Sequence, residues 1–380
     1  MKHNLPILLL FLSIPLASVA QQPTSSRSAP SPTAILGQFS MSWGHKVYDN
    51  EMFALSPTDT GECAVDGSKG IVYCGVKTGS IFALAIDTGR ILWEYKTGGS
   101  ITGRPAVGPL GVYVGSSDGC LYYLNFETGI SVWTSPYCTD IPIRGEVTVF
   151  EGQVIFAVAT NKIYSVKADD GTFKWAYNRD RPSAMSAEGV ASPVVAKGKV
   201  IAGFSDGYLV GVDLNNGKEL WASDLGADLS GAVDVDATPV VVDDRVFTGA
   251  FAAGPTCLSI DDGSVIWTSK YFGISKVDYS NGNIFFGTSD GEVISLAADT
   301  GKLLWSAKLS TSSAYAPARI GRHLFVGGDQ GIWAIDSFTG QPLVLLTVPF
   351  GVKNSPAVWQ NMLFFVGGAG TVNAVNWINR

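Results

Sequence analysis

A glycine followed four residues later by tryptophan recurs along this 380-residue chain, and the recurrence limits what the chain can fold into. The instances are Gly89/Trp93, Gly129/Trp133, Gly171/Trp175, Gly217/Trp221, Gly263/Trp267 and Gly301/Trp305, with Gly340/Val344 as a degenerate seventh. Successive positions of the tryptophan are 40, 42, 46, 46, 38 and 39 residues apart. That period suits one four-stranded propeller blade and not a helical repeat.

Within each unit the pattern is strand-like. Ile71-Val72-Tyr73-Cys74-Gly75 and Ser80-Ile81-Phe82-Ala83-Leu84 are echoed by Val112 to Gly115 and Leu121 to Leu124, and again in later units. Short β-branched and aromatic runs bounded by Gly, Asp and Ser read as hairpin-linked strands. A further element opens with proline in Arg104-Pro105, Ser192-Pro193, Thr238-Pro239, Ala316-Pro317 and Ser355-Pro356. Proline has no N–H for a ladder, so it belongs at the start of a strand or on an edge strand, which the channel-lining strand of a blade would be.

Seven outer strands can be counted from Trp93 to Val344, and the chain ends before an eighth. The lone segment Phe39-Ser40-Met41-Ser42-Trp43 has no partner of its own. Pairing it onto the last three strands completes a blade. The expected fold is therefore all-β, an eight-bladed β-propeller of four-stranded antiparallel blades closed by the N-terminal strand, with seven blades as the competing count. The propeller is expected over residues 36–380.

Residues 1–20 carry Lys2 and His3, an apolar run from Leu5 to Leu16, and Ser18-Val19-Ala20 at a cleavage-like site, so they read as a signal peptide. Residues 21–35, rich in Ser, Pro and Thr, read as a disordered linker. No later stretch approaches the roughly 18 apolar residues of a spanning helix, so no transmembrane segment is expected. The net charge of −7, with no basic run, argues against nucleic acid as a partner. The expected partner is a protein, and the propeller itself is expected to be a monomer.

Cys63 and Cys74 lie symmetrically about the Gly67 to Gly70 turn, and Cys120 and Cys138 lie almost symmetrically about Thr128-Gly129. Such symmetry places residues opposite each other on antiparallel strands, where either a disulfide or a pair of buried thiols fits. Cys257 is left over. No cysteine pair has metal-ligand spacing, and two histidines beyond residue 20 do not make a metal cluster. No metal or other cofactor is expected. Three G-x-S-x-G matches, Gly115 to Gly119, Gly203 to Gly207 and Gly287 to Gly291, imitate a nucleophile elbow. Each stands between two strands at one phase of the repeat, where a hairpin turn explains it and a strand-to-helix elbow does not. The acidic pairs Asp169-Asp170, Asp243-Asp244 and Asp261-Asp262 likewise fall in turns.

The unit from Val112 through Gly115-Ser116-Ser117-Asp118-Gly119 to Trp133 resembles the quinoprotein-type propeller repeat, shared by pyrroloquinoline-quinone dehydrogenases and the BamB family. The segment from Pro182 to Pro193, then Gly203 to Trp221 and Val233 to Val242, is similar to the middle of BamB proteins. That resemblance implies a non-catalytic periplasmic scaffold of outer-membrane β-barrel assembly, with two inter-blade loops docking onto a BamA-type barrel protein. By the same resemblance Asp234 and Asp236 form an Asp-x-Asp docking pair. Met185 and Glu188 stand where a large apolar residue and an arginine are expected, and Arg181 adds charge to that loop. In extended backbone, carboxylates at i and i+2 point to one side, either to take a partner's cation or to bind backbone amides. BamB proteins are typically lipoproteins, whereas Gln21 follows the cleavage site here, which implies a periplasmic protein held peripherally at the outer membrane. The alternatives are a quinone- and Ca²⁺-dependent dehydrogenase, for which the chain is short and lacks adjacent cysteines, or a propeller with an unrelated partner.

Overall fold

The computed structural model describes residues 27–28, 39–49, 59–179, 191–226, 234–250, 253–310 and 312–378. They form eight sheets arranged as an eight-bladed propeller, with no helix among the described residues. Blade 1 runs outward from the axis through Cys63–Asp66, Ile71–Gly75, Ser80–Ala85 and Ile91–Lys96. Blades 2 to 7 repeat that order. Blade 8 consists of Ala357–Trp359, Met362–Gly367 and Thr371–Trp377, with Phe39–Lys46 as its outer strand, so the two ends of the chain close the ring by antiparallel pairing of Phe39 with Trp377 through Lys46 with Thr371. Blade 6 carries a fifth strand, where Arg27–Ser28 lies parallel beside Leu303–Lys308.

Each blade buries its two faces against its neighbours. The apolar side chains fall into eight clusters, one per junction; one of them joins Ile155, Ile163 and Trp175 of blade 3 to Val200, Ala202 and Val210 of blade 4. The tryptophans lie at these junctions. In seven of the eight, the indole Nε1 donates across to a backbone carbonyl of the following blade: Trp43 to Ile86, Trp93 to Phe126, Trp133 to Ala168, Trp175 to Leu214, Trp221 to Ile260, Trp267 to Ala298 and Trp305 to Ser337, at 2.8–3.1 Å. A one-residue register shift just before the tryptophan, as at Gly211/Val212 in blade 4, turns the indole out of the sheet toward its neighbour.

The glycine of the motif serves the preceding blade's tryptophan and not its own. Gly217 has φ of +71°, and a Cβ there would lie 2.5 Å from the Trp175 ring. Both the left-handed turn and the close ring contact require glycine.

Blade 2 departs from the regular pattern. Its outer strand is reduced to an isolated bridge at Ser131 and the pair Tyr137–Cys138, so Trp133 sits in an irregular stretch while its indole still makes the junction bond. Cys138 is the register partner of Cys120 and is disulfide-bonded to it, and Cys63 is likewise opposite and bonded to Cys74. Cys257 is buried and unpaired, and burial pushes its thiol up to about 11.

Candidate functional site: the channel mouth

The first strand of every blade is entered from the same end of the ring, so the residues at one repeat position, at or just before the start of these strands, form a circle around the axis. In chain order the circle reads Glu62, Arg104, Glu146, Ser192, Thr238, Lys276, Ala316 and Ser355. Four are charged, and they pair with one another. Arg104 donates to Glu62 at 2.8 Å and to the Ser355 carbonyl at 3.3 Å, and Lys276 of blade 6 reaches Glu146 of blade 3. The backbone N–H of Glu146 donates to Ser192 Oγ at 2.8 Å. Burial alone would raise the Glu146 carboxyl, but Lys276 and Arg104 hold it below its ordinary value. The network is internally neutral, and its four side chains are only 17–27% exposed. Removing one member would leave a largely desolvated charge without its counterion.

Beside this network lies a cavity of about 200 Å³ whose wall includes Arg144, Asp236, Tyr315, Lys353 and Asn354. Asp236 is half-buried and its Oδ1 makes no hydrogen bond. Burial, with the charge of Asp234 adding to it, pushes the Asp236 carboxyl up to about 7 against the lowering effect of two backbone N–H groups. Asp234, two residues away, is fully buried. Between them the Val235 N–H donates to the Phe204 carbonyl at 3.0 Å and fixes the segment against blade 4. The two aspartates of the expected docking pair therefore differ, since in this conformation only Asp236 faces the mouth. Extended backbone alone would put both on one side; here Asp234 is fully buried and Asp236 lines the mouth cavity.

Of the loop before blade 4, Arg179 is described, and its charge is used internally. Its Nε donates to Asp206 at 2.7 Å, its guanidinium lies 4.1 Å from the centre of the Tyr208 ring, and the side chain is 11% exposed. Arg181, Met185 and Glu188 lie outside the described residues.

The three G-x-S-x-G segments are hairpin turns between second and third strands. The two described histidines are engaged elsewhere: His45 packs at 5.8 Å from Trp43, and His323 Nδ1 accepts from Trp377 Nε1 at 3.2 Å. Asp170 and Asp262 cap their turns by accepting from Thr172 and Ser264. The Lys276–Glu146 ion pair reaches across the channel, Cys63 and Cys74 are bonded to each other, and no three His, Cys, Asp or Glu side chains converge among the described residues in a way that could hold a metal ion. The circle of charge is the part of the site that reading unit by unit misses. Aligning the repeats by the register of their first two strands brings it out.

Fold and mouth together define an eight-bladed propeller of the quinoprotein-repeat class. The chain belongs to the family described as outer membrane protein assembly factor BamB, which it matches over residues 40–139, 77–299 and 289–378. A protein of Yersinia pestis named outer membrane protein assembly factor BamB is 27% identical over 136 residues, 33% of this chain and 34% of that protein, so the match spans about a third of the relative's length. The crystal structure of BamB from Moraxella catarrhalis superposes with a TM-score of 0.76 at 20% identity, covering 89% of this chain and all of that one. Quinohemoprotein alcohol dehydrogenase from Comamonas testosteroni has the same fold, with a TM-score of 0.73 at 14% identity, covering 94% of this chain and 79% of that one. No helix among the described residues is long and apolar enough to cross a membrane.

Proposed function

We propose that this protein is a non-catalytic periplasmic scaffold of outer-membrane protein assembly, which docks a BamA-type barrel protein at the channel mouth beside blades 4 and 5. Family membership supports the role, and the observation that carries the site is Asp236, a half-buried carboxylate in the wall of the mouth cavity whose Oδ1 is buried without a hydrogen-bond partner. A partner's arginine is its natural counterpart, because a guanidinium presents paired N–H donors to a carboxylate. Asp234 acts from behind by disfavouring a lone charge on Asp236 until the cation arrives. The self-neutralised circle keeps the mouth rigid, so that docking orders few side chains.

Docking on an ionised Asp236 expels the proton that this group holds near neutrality. Affinity should therefore rise as pH goes from 6 to 8. The test is a titration of a purified BamA-type barrel protein in detergent with wild type and Asp236→Asn. The expected outcome is at least a tenfold weaker complex, about 1.4 kcal/mol, and loss of the pH dependence in the variant. Equal affinities would remove Asp236 from the interface, and no complex with wild type would remove the assembly role.

A further inference from the structure

The first-to-second and third-to-fourth turns of every blade project from the face opposite the channel mouth, and there neighbouring blades enclose small pockets. The pocket between blades 5 and 6, of about 300 Å³, is walled by Asp243, Asp244, Arg245, Tyr279 and Asp299. Its charges are largely used within the protein: Arg245 pairs with Asp299 at 2.5 Å, and Lys197 with Asp244. The pocket between blades 6 and 7, of about 310 Å³, occupies the equivalent place. The turn pairs Val242 with Arg245, Ser280 with Asn283 and Ile320 with His323 set the correspondence. By that register Asn281 stands for Asp243, Asn283 for Arg245, Arg319 for Tyr279 and Phe338 for Asp299.

The geometry is repeated and the chemistry is changed. Phe338 is 62% exposed, at a turn position held elsewhere by Asp87, Glu127, Asp169, Asn215, Asp261 and Asp299, so the turn itself does not call for a phenyl group. Arg322 pairs with Asp336 at 2.6 Å and lies 5.1 Å from the centre of the Phe338 ring. Arg319 donates to the Gly321 carbonyl at 3.1 Å and makes no ion pair among the described residues, and the side-chain amides of Asn281 and Asn283 make no hydrogen bond there. In a chain of net charge −7, this pocket presents two guanidiniums next to an exposed ring; Arg322 is paired with Asp336, while Arg319 feels the buried Asp278 carboxyl without forming an ion pair with it.

We propose that the pocket between blades 6 and 7 binds an acidic peptide segment, with a carboxylate on Arg319, the neighbouring apolar side chain on Phe338, and the amides of Asn281 and Asn283 on the peptide backbone. An arginine held beside an aromatic ring suits that combination, since the guanidinium takes the carboxylate in its plane while the ring covers apolar surface. The site lies on the far face from the channel mouth, so it accepts a second partner while the first is docked, and it stands independently of the docking proposed there.

The test is fluorescence anisotropy of a fluorescein-labelled Gly-Glu-Phe-Glu-Gly peptide and its Lys counterpart, titrated with the full chain. Arg319→Tyr and Phe338→Asp each install the residue that the preceding pocket already carries in the same place, so both variants should fold. The expected result is binding of the acidic peptide that weakens with salt, no binding of the Lys peptide, and a Kd at least about tenfold higher in each variant. Absence of binding at about millimolar protein, or unchanged affinity in both variants, overturns the assignment. Loss in Arg319→Tyr alone reduces the site to a plain anion contact and overturns the peptide assignment as well.

Discussion

Seven junctions between blades are built on a tryptophan of the earlier blade, while the junction between blades 7 and 8 has Val344 in that place. Its volume is supplied from the other side. Trp377, on the third strand of blade 8, is 2% exposed and lies 5.0 Å from Phe325 and 5.1 Å from Phe39, and its indole donates to His323 in place of a carbonyl. The comparison teaches that a ring closed by its chain ends keeps the requirement for a large aromatic at each junction but not the direction from which it comes. Six of the other junctions are each made within one continuous stretch of chain, whereas this one, through Phe39, and the junction of blades 8 and 1, through Trp43, depend on the pairing of Phe39–Lys46 with Thr371–Trp377.

The largest effect is expected at the closing junction. Trp377→Ala should cost about 3–5 kcal/mol by chemical denaturation, and hydrogen exchange should show the opening at Phe39–Lys46 before blade 4. The comparison breaks if the loss of protection is spread evenly around the ring. A double-mutant cycle sharpens it further. Val344→Trp alone should overpack the junction and destabilise by roughly 1–3 kcal/mol, while in the Trp377→Ala background it should recover part of the loss. Simple additivity would show that the two positions do not fill one space.

At an ordinary junction, Gly217→Ala should cost roughly 1–3 kcal/mol, because the new methyl group meets Trp175 at a residue with φ of +71°. A stable variant with unchanged denaturation would mean that the ring yields there, contrary to close packing.

The smallest effect is one of pH. Burial holds the His323 imidazole below its ordinary value, and Asp336 only partly offsets this. The unfolded chain then binds the extra proton more readily, so stability is full above about pH 6.5 and falls as pH drops below it. The loss should be small and centred on the closing junction, since an indole donating to a carbonyl does not titrate. His323→Gln should flatten that part of the profile; a profile unchanged by the substitution would remove His323 as its source.

Much of the architecture was legible because a repeat gives several readings of one structure. The spacing of Gly89/Trp93 and its siblings, the prolines before the first strands, and the unpartnered Phe39 to Trp43 segment led to the eight blades and their closure. The symmetric cysteines led to both pairs that the structure bonds. The site was less legible. Asp234 and Asp236 look equivalent in sequence, but one is fully buried and the other lines the mouth cavity. The circle of Glu62, Arg104, Glu146 and Lys276 is spread over 215 positions of sequence and is assembled by the closing of the ring.

The sequence by itself determined the strands, the turns, the blade count and which residues are apolar, because these depend on short-range pattern and on a period repeated often enough to be read. Only the tertiary structure decided which tryptophan each glycine serves, that Trp377 makes good the absence at Val344, and that Glu146 finds Lys276 three blades away. Those contacts join residues that no local periodicity relates, and they form only when every blade has taken its place around the axis.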